Sequence, residues 1–287
     1  MVLKIEDKRK TLIIKKELKK LINQNLSDEY IKKYYIPIIK KIKNKKKLMI
    51  VGPQGSGKST LSQLIKSVLP KIYGRKVVVL GLDDFYLRKN ERLKLAKNVH
   101  PLLKVRGVPG THDLQLLQDT IKKLELKKFP VHLPSFDKLK DDRKKNYKKI
   151  HEADLIIFEG WCVGAKPISQ SYLKENINSL ETNQDPKRIW RNFYNNSLGK
   201  DYQKIFNKFK DRIFFQVPSL HYVYKWRLKQ EERLFQKKIT KSSRIKIKKF
   251  IQYFEKLTIW MNKEMPKKSN IVINLDVNQS IQKVLYK

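Results

Sequence analysis

Residues 52–59 read GPQGSGKS and fit the pattern G-x-x-x-x-G-K-[ST] of a phosphate-binding loop. The apolar residues 47–51 precede this loop and predict a buried strand, and residues 60–69 follow it with the apolar spacing of a helix. Glycines let backbone N–H groups turn toward a phosphate, and the N-terminus of the helix adds positive potential. The segment therefore predicts a site for ATP or GTP with Mg²⁺.

Two side chains of the loop have separate expected tasks. In loops of this pattern the lysine reaches the β- and γ-phosphates and the hydroxyl that follows it can ligate Mg²⁺. We therefore expect Lys58 to hold phosphate and Ser59 to hold the metal. The expected nucleotide-binding residues are Gly52, Pro53, Gln54, Gly55, Ser56, Gly57, Lys58, Ser59 and Thr60.

Acidic residues follow two further apolar runs. Residues 77–82 lead into Asp83 and Asp84, and residues 154–158 lead into Glu159. Parallel sheets bind ligands at the carboxyl ends of their strands, and phosphoryl transfer needs an acid for Mg²⁺ and a base for the attacking hydroxyl. We expect Asp83 to be the base and Glu159 a metal ligand, whereas Asp84 has the alternative role of capping the next helix.

Short apolar runs alternate with helical segments over most of the chain. The runs are residues 47–52, 76–83, 129–136, 154–160, 212–217 and 270–275. This alternation predicts an α/β P-loop NTPase fold, with a mostly parallel central sheet flanked by helices. The polar stretch 178–187 is interpreted as a surface loop.

The ends of the chain differ from this alternating pattern. Residues 8–44 are rich in lysine with helical apolar spacing and predict two amphipathic helices. We therefore expect an N-terminal helical extension over residues 1–44 and one P-loop domain over residues 45–287. Within that domain, residues 186–266 are basic and mainly helical in pattern, which predicts a basic helical lid.

The charge balance raises a different class of function. The 287 residues include 66 Lys and Arg against 27 Asp and Glu, a formal net charge of +39. Such a balance suits a nucleic-acid partner, but only 12 of the cations are arginine and the lysines are scattered along the chain. A solvated basic surface is the favoured interpretation, with no specific nucleic acid as partner.

Several other classes are excluded by composition. No apolar run approaches the roughly 18 residues that span a bilayer, and the N-terminus lacks the apolar core of a secretory signal. We therefore expect a cytoplasmic protein with no membrane partner. Cys162 is the single cysteine, so a disulfide within the chain and a thiolate zinc cluster are both excluded. No sequence feature sets an oligomeric state.

Further motifs identify a family. Besides the loop, these are DDFY at 83–86, RGVPGTHD at 106–113, PSFDK at 134–138, EGWCVG at 159–164, QVP at 216–218 and WRLKQE at 226–231. Together they resemble the phosphoribulokinase, uridine kinase and pantothenate kinase group, and within it the D-glycerate 3-kinase family. The resemblance covers roughly residues 47–285.

The resemblance implies an ATP-dependent kinase that transfers the γ-phosphoryl group to a hydroxyl of a small metabolite, D-glycerate giving 3-phosphoglycerate. Uridine, pantothenate and other acceptors stay open, and a nucleic-acid-associated NTPase is the alternative from another class. The catalytic residues it implies are Asp83, Lys58 and Arg227. The substrate-binding residues are Asp83, Asp84, Tyr86, Arg106, His112, Asp137, Lys138 and Arg143.

Some of these residues have a plainer interpretation. An alternative role for His112 is that it only neighbours Asp113, which caps a helix, and Trp161 and Trp226 are expected to pack in the core.

Two segments depart from the family pattern. Residues 139–141 stand where the family has a glycine-rich stretch, and residues 237–241 replace its Gly-Met element. Both departures concern the identity of the acceptor and leave the predicted ATP site unchanged.

Overall fold

A computed structural model describes residues 2–235 and 240–287 of the chain. Its strands are β1 Lys47–Val51, β2 Val77–Gly81, β3 Val131–Leu133, β4 Phe136–Asp137, β5 Asp142–Arg143, β6 Lys148–Ile150, β7 Leu155–Gly160, β8 Arg212–Gln216, β9 Ile271–Leu275 and β10 Ile281–Tyr286. The central sheet has the order β10-β9-β8-β1-β7-β2. All neighbours in it pair in parallel except β10, which is antiparallel to β9, so the predicted mostly parallel sheet is confirmed.

Helices cover both faces of this sheet. They are α1 Val2–Ile22, α2 Asp28–Tyr30, α3 Ile36–Ile42, α4 Lys58–Tyr73, α5 Lys89–Asn98, α6 Leu114–Glu125, α7 Gln170–Lys174, α8 Ser179–Gln184, α9 Ile189–Ser197, α10 Gln203–Phe206, α11 Leu220–Phe235 and α12 Lys241–Lys268. Short π-helical turns cover Ile31–Tyr35 and Leu198–Tyr202, and 3₁₀ turns cover Leu82–Phe85 and Pro101–Lys104.

The two faces have separate hydrophobic cores because side chains alternate along each strand. In β1, Met49 and Val51 join one core with residues of α6, α9 and α12, whereas Leu48 and Ile50 join the other with residues of α1, α3 and α4. All four side chains are at most 1% exposed. A strand buried on both faces carries a continuous apolar run, which explains why β1 was predictable.

The N-terminal segment forms helices as predicted. α1 ends at Ile22, and Ser27 accepts a hydrogen bond from the N–H of Tyr30 to begin the helical stretch α2–α3. This stretch includes the π-helical turn Ile31–Tyr35. Ile38 and Ile39 are buried in the core that α4 also contributes to, so the segment packs directly on the sheet domain.

The prediction that residues 129–136 form a strand of the main sheet is wrong. β3 covers three residues of this run and pairs antiparallel with β6, with Val131 opposite Ile150, in a separate two-stranded ribbon. Its middle residue His132 is exposed, so β3 buries only one face. A strand of the central sheet is buried on both faces, and this one is not.

Two further elements differ from expectation. The stretch 178–187 contains α8 rather than only loop, because the Asn178 side chain accepts from the N–H of Glu181 and caps the helix. Leu180 and Glu181 are buried against α12. The edge strand β10 was not predicted, because its Gln282–Lys283 pair interrupts the apolar pattern.

The predicted lid region contains α9 and α10, the strand β8, and the long helices α11 and α12. Part of the segment 237–241, where the family pattern is replaced, lies outside the described residues. No helix in the described ranges combines the length and the apolar character that a membrane span requires.

Candidate active site

The phosphate loop connects the end of β1 to Lys58, the first residue of α4. Gly55 and Gly57 have φ angles of 76° and 89°, which residues with a side chain rarely adopt. A Cβ atom on Gly52 would lie 2.8 Å from the Cβ of Phe215 in β8. The glycines are therefore required by the turn and by the close approach of the neighbouring strand, and the predicted strand–loop–helix order is confirmed.

Three carboxylates lie together because two parallel strands end side by side. β2 pairs with β7 so that Gly81 is opposite Glu159. Asp83 and Asp84 lie in the turn Leu82–Phe85 that follows β2 directly. A Cβ on Gly81 would lie 3.0 Å from Asp84 Oδ2 and 3.7 Å from Glu159 Oε1. The acids thus gather at the carboxyl edge of the sheet, where ligands bind in this architecture.

Asp83 is an ionised carboxylate with access to solvent. The Tyr86 hydroxyl donates to Asp83 Oδ1 at 2.9 Å, and Lys138 Nζ lies 3.6 Å from Oδ2. Its side chain remains 43% exposed, so a ligand can reach it. Burial alone would raise the pKa of Asp83, but the charges of Lys138 and Lys58 and the Tyr86 hydrogen bond together hold this pKa below its ordinary value.

Asp84 has the opposite character. Burial raises the pKa of Asp84 to about 6, although its Oδ1 accepts a hydrogen bond from the N–H of Phe136 at 3.1 Å. The negative charges of Asp83 and Glu159 raise the pKa further. The alternative that Asp84 caps the next helix is wrong, because the N-cap position of α5 is Arg88. Asp84 instead ties the end of β2 to β4.

Ser59 and Glu159 form a pair suited to a divalent cation. Ser59 Oγ donates to Glu159 Oε1 at 2.9 Å, while Glu159 Oε2 is buried and has no hydrogen-bond partner. Burial raises the pKa of Glu159, and the nearby Lys58 ammonium opposes this rise. An unsatisfied buried carboxylate oxygen beside a hydroxyl is a donor set that fits Mg²⁺, which prefers oxygen ligands and retains several waters.

A cleft of about 230 Å³ brings most of the predicted residues together. The predicted residues that line it are Gln54, Gly55, Lys58, Ser59, Asp83, Asp84, Tyr86, Arg106, Lys138, Glu159 and Arg227. They come from the phosphate loop, from the ends of β2 and β7, from the loop that follows the 3₁₀ turn Pro101–Lys104, from the β4–β5 turn and from α11. Residues far apart in sequence therefore share one space that is continuous with the phosphate loop.

His112 does not line this cleft but lies behind it. Its ring stacks on Tyr86 with centroids 4.5 Å apart, and its Nδ1 is 2.6 Å from the Tyr202 hydroxyl. Burial lowers the pKa of His112 to about 3, so the imidazole is neutral at physiological pH. Its neighbour Asp113 is the N-cap of α6, as the plainer interpretation expected. His112 thus supports the tyrosine that contacts Asp83.

Arg143 and Asp137 also lie away from the cleft lining. Arg143 is buried, with Nη1 3.0 Å from the carboxylate of Asp113. Asp137 Oδ1 accepts from the backbone N–H groups of Leu139 and Lys140, which fixes the β4–β5 turn. Asp137 is therefore satisfied within the protein, whereas Arg143 pairs with Asp113 and keeps a buried Nε with no hydrogen-bond partner. In this structure both side chains shape the turn that carries Lys138.

Arg106 reaches the cleft from the other side. Its guanidinium lies 5.3 Å from the centre of the Phe136 ring and pairs with Asp141. Asp141 has a φ angle of 54° and also accepts from Arg92 Nη2 at 2.8 Å. Asp141 belongs to the stretch that replaces the glycine-rich segment of the family pattern, so this departure supplies the partner that orients Arg106.

Arg227 extends from the lid helix α11. It pairs with Glu231 one turn later and donates to Gln230 Oε1 at 3.1 Å, while its Nε is buried with no partner. Its neighbour Trp226 is buried, and the indole N–H donates to the carbonyl oxygen of Val277 at 3.1 Å. The predicted packing role of Trp226 is confirmed, and its burial holds α11 against the phosphate loop, where a Cβ on Gly55 would lie 2.9 Å from the Cβ of Trp226.

Three residues of α11 and α12 that line the cleft were not among the predicted site residues, and neither were Gly81, Gly160 and Trp161. Gln230, Phe250 and Phe254 face it from α11 and α12. Phe254 also packs against Trp161 with ring centroids 5.0 Å apart, and Trp161 donates its indole N–H to Gly107 at 3.0 Å. The i, i+4 spacing of the two phenylalanines signalled a buried helix face but not what that face covers.

Comparisons with known proteins find kinases among the relatives of this chain. No family model matches the chain. It is 37% identical over 199 residues to "Uncharacterized kinase mug58" of Schizosaccharomyces pombe, covering 65% of this chain and 70% of that protein. It is 34% identical over 226 residues to "Probable ATP-dependent kinase TDA10" of Saccharomyces cerevisiae, covering 71% and 73%.

Two further comparisons concern proteins with a named acceptor. The chain is 29% identical over 192 residues to the chloroplastic D-glycerate 3-kinase of Arabidopsis thaliana, covering 62% of this chain and 39% of that protein. The solved structure of D-glycerate 3-kinase from Cryptococcus neoformans superposes with a TM-score of 0.72 at 23% identity, covering 98% and 99% of the two chains. At that identity the superposition shows a shared fold.

Proposed function

Because this chain belongs to the D-glycerate 3-kinase family of P-loop kinases, we propose that it transfers the γ-phosphoryl group of ATP to a hydroxyl of D-glycerate, giving 3-phosphoglycerate. One observation carries the proposal: the ionised Asp83 lines a cleft that continues into the phosphate loop. A base in that position is close to both an acceptor hydroxyl and a phosphate held by the loop.

The nucleotide end of the site uses the loop and the metal pair. The backbone N–H groups of the loop and the Lys58 ammonium hold the phosphates. Ser59 and Glu159 would hold Mg²⁺, which neutralises charge on the β- and γ-phosphates when it is bound. The protein contributes mainly position and charge at this end, as phosphoryl transfer requires.

The proton of the acceptor hydroxyl goes to Asp83. The Tyr86 hydroxyl donates to Oδ1, which fixes the carboxylate and leaves Oδ2 on the side of Lys138 for the incoming proton. A depressed pKa keeps Asp83 ionised, and therefore able to accept a proton, throughout the neutral range. Arg227 lines the same cleft and supplies positive charge as negative charge develops on the transferred phosphoryl group.

The acceptor end of the cleft suits a small anion with hydroxyls. Arg106 and Lys138 are the cations that line it away from the loop, and a planar guanidinium pairs well with a carboxylate. Trp161 and Phe254 close the remaining wall. At about 230 Å³ the cleft is smaller than the roughly 300–1,000 Å³ of sites for drug-sized ligands, which favours a three-carbon acid over a nucleoside.

The variant Asp83→Asn tests the proposal. The amide keeps the shape of the side chain but cannot accept the proton, so kcat should fall by roughly 10²–10⁴-fold with the ATP dissociation constant changed much less. The measurement is steady-state turnover with D-glycerate together with calorimetric titration of ATP.

Asp84→Asn is the matched control for this experiment. It changes the adjacent residue in the same way and retains an oxygen for the Phe136 N–H, so its effect on kcat should be the smaller of the two. Loss of turnover in Asp84→Asn together with normal turnover in Asp83→Asn would reverse the assigned roles.

A further inference from the structure

A second cavity, of about 320 Å³, opens beside the phosphate loop. It shares Gly55, Lys58, Ser59 and Gln230 with the cleft that contains Asp83, so the two spaces meet at the loop. Its walls come from α4, from the lid helix α11, from the turn between β9 and β10, and from the N-terminal helices. The contribution of the N-terminal helices is the unexpected part.

These helices are fixed to both sides of the cavity. Glu17 of α1 pairs with Lys71 of α4 at 2.6 Å, and Ile14 and Leu18 are buried in the core that α4 shares. On the other side, the Tyr34 hydroxyl donates to the carbonyl oxygen of Gln282 in β10 at 2.9 Å. The N-terminal segment therefore joins the helix that follows the phosphate loop to the edge of the sheet.

Local backbone geometry brings two of its side chains to the cavity. Asn23 adopts a φ angle of 51° and donates its N–H to the carbonyl of Lys19, which ends α1 and turns the chain. The next residue, Gln24, lines the cavity. Tyr35 also lines it from the end of a π-helical turn, a feature often found at functional sites.

The chemistry of the cavity suits a nucleoside. Aromatic and aliphatic side chains such as Tyr35 and Trp226 form much of its wall, and Gln24 and Asn278 offer neutral amides. No carboxylate is among the residues that line it. A wall that combines apolar side chains with neutral amide donors and acceptors fits a planar, uncharged base, while Lys58 and Lys229 line the cavity as cations. When the triphosphate lies on the loop, the ribose and base must extend into the space next to it.

We propose that the N-terminal helices form one wall of the nucleoside site, with Gln24 and Tyr35 in contact with the base or ribose of ATP. The inference rests on the proposed function, because it takes ATP as the ligand of the phosphate loop. It makes the N-terminal helical segment part of the nucleotide site through residues 22, 24 and 35. Nucleotide binding and the docking of these helices are then thermodynamically linked, so each strengthens the other.

The test compares ATP with inorganic tripolyphosphate, which carries the phosphates but no nucleoside. Both are titrated calorimetrically into the wild-type protein and into Gln24→Ala and Tyr35→Leu. Loss of a base contact of this kind weakens binding by about 3- to 30-fold, so ATP affinity should fall by that factor in both variants. Affinity for tripolyphosphate should stay within about twofold, because the loop itself is unchanged. Asn25→Ala, at the exposed neighbouring position, is the matched control and should bind both ligands as the wild type does.

Either of two outcomes would overturn the inference. One is wild-type ATP affinity in both variants, and the other is an equal loss for ATP and tripolyphosphate, which indicates a distorted loop. Thermal melting of each variant shows whether it is folded, and Gln24 is exposed, so its removal opens no cavity. If the wild-type protein itself fails to bind ATP, the proposed function fails as well, and that result is distinct from the other two.

Discussion

Asp83 and Asp84 are adjacent carboxylates whose pKa values are shifted in opposite directions. Cations and the Tyr86 hydroxyl keep Asp83 charged, whereas burial beside two other acids favours the neutral form of Asp84. Divergent pKa values in one cluster are typical of functional sites. Without a bound cation, Asp84 is therefore negatively charged at pH values above its pKa, in surroundings that favour its neutral form. This charge lowers the free energy of unfolding.

Asp84→Asn should stabilise the nucleotide-free protein at alkaline pH. A carboxyl with a folded pKa of about 6, above its unfolded value, stabilises the fold at low pH, and this contribution is lost as the pH rises through 6. The neutral amide does not titrate, so the variant should exceed the wild type by about 1–3 kcal/mol at pH 8 and by much less at pH 4.5. Urea denaturation at the two pH values measures this difference. A variant that is less stable at pH 8, or a gain that is the same at both pH values, would contradict it.

At this scale the sequence predicted the side chains that belong to short motifs. Lys58, Ser59, Asp83 and Glu159 lie in local patterns whose chemistry requires them, and the structure places all four at the cleft. The positions of His112 and Arg143 could not be predicted, because they depend on distant partners. The partner of His112 is Tyr202, ninety residues later in the chain.

At the scale of elements, the loop 106–113 and the helix α12 meet at a single glycine. Gly107 has a φ angle of 140°, and a Cβ there would lie 2.4 Å from Cε1 of Phe254. Its carbonyl oxygen accepts the Trp161 indole N–H. Three elements that line the acceptor end of the cleft are therefore packed through this residue.

Gly107→Ala should both destabilise the protein and impair acceptor binding. Backbone strain and the clash with Phe254 should lower the free energy of unfolding by about 2–4 kcal/mol. Displacement of the Phe254 ring from the cleft wall should raise the KM for the acceptor more than the KM for ATP. Gly74→Ala is the control, because Gly74 also has positive φ, at 67°, but a Cβ there meets nothing within 4 Å. That variant should lose only about 1 kcal/mol and keep its kinetic constants. Equal losses of stability, or an unchanged acceptor KM in Gly107→Ala, would count against the packing argument.

Elements were predictable where burial on both faces produced an unbroken apolar run. β1, β2, β7, β8 and β9 all have this pattern, and each was expected within two residues of its observed bounds. The assignments failed for β3, which buries one face, for the edge strand β10, and for α8, whose polar surface resembles a loop. In these three cases tertiary contacts determine the structure, and a local window of sequence does not contain them.

At the scale of the whole molecule, two cavities meet at one phosphate loop. The fold and the mostly parallel sheet could be predicted from the sequence. The contact of the N-terminal helices with the cavity beside the phosphate loop could not, because residues 24 and 279 line that cavity together only in the folded chain. The net charge of +39 also belongs to this scale. Scattered lysines predict weak, salt-dependent attraction to polyanions without base discrimination.

The most direct test of the account is an acceptor assay that identifies the product. The protein is incubated with ATP and Mg²⁺ and with D-glycerate, uridine or pantothenate, or with RNA alone, and phosphorylated products are identified by mass spectrometry while ADP formation is followed. The account predicts 3-phosphoglycerate in amounts equal to the ADP formed, no phosphorylated uridine or pantothenate, and no RNA-stimulated ATP hydrolysis. Phosphorylation of uridine or pantothenate but not of D-glycerate would contradict the acceptor assignment, and RNA-stimulated hydrolysis with no phosphorylated acceptor would contradict the kinase account as a whole.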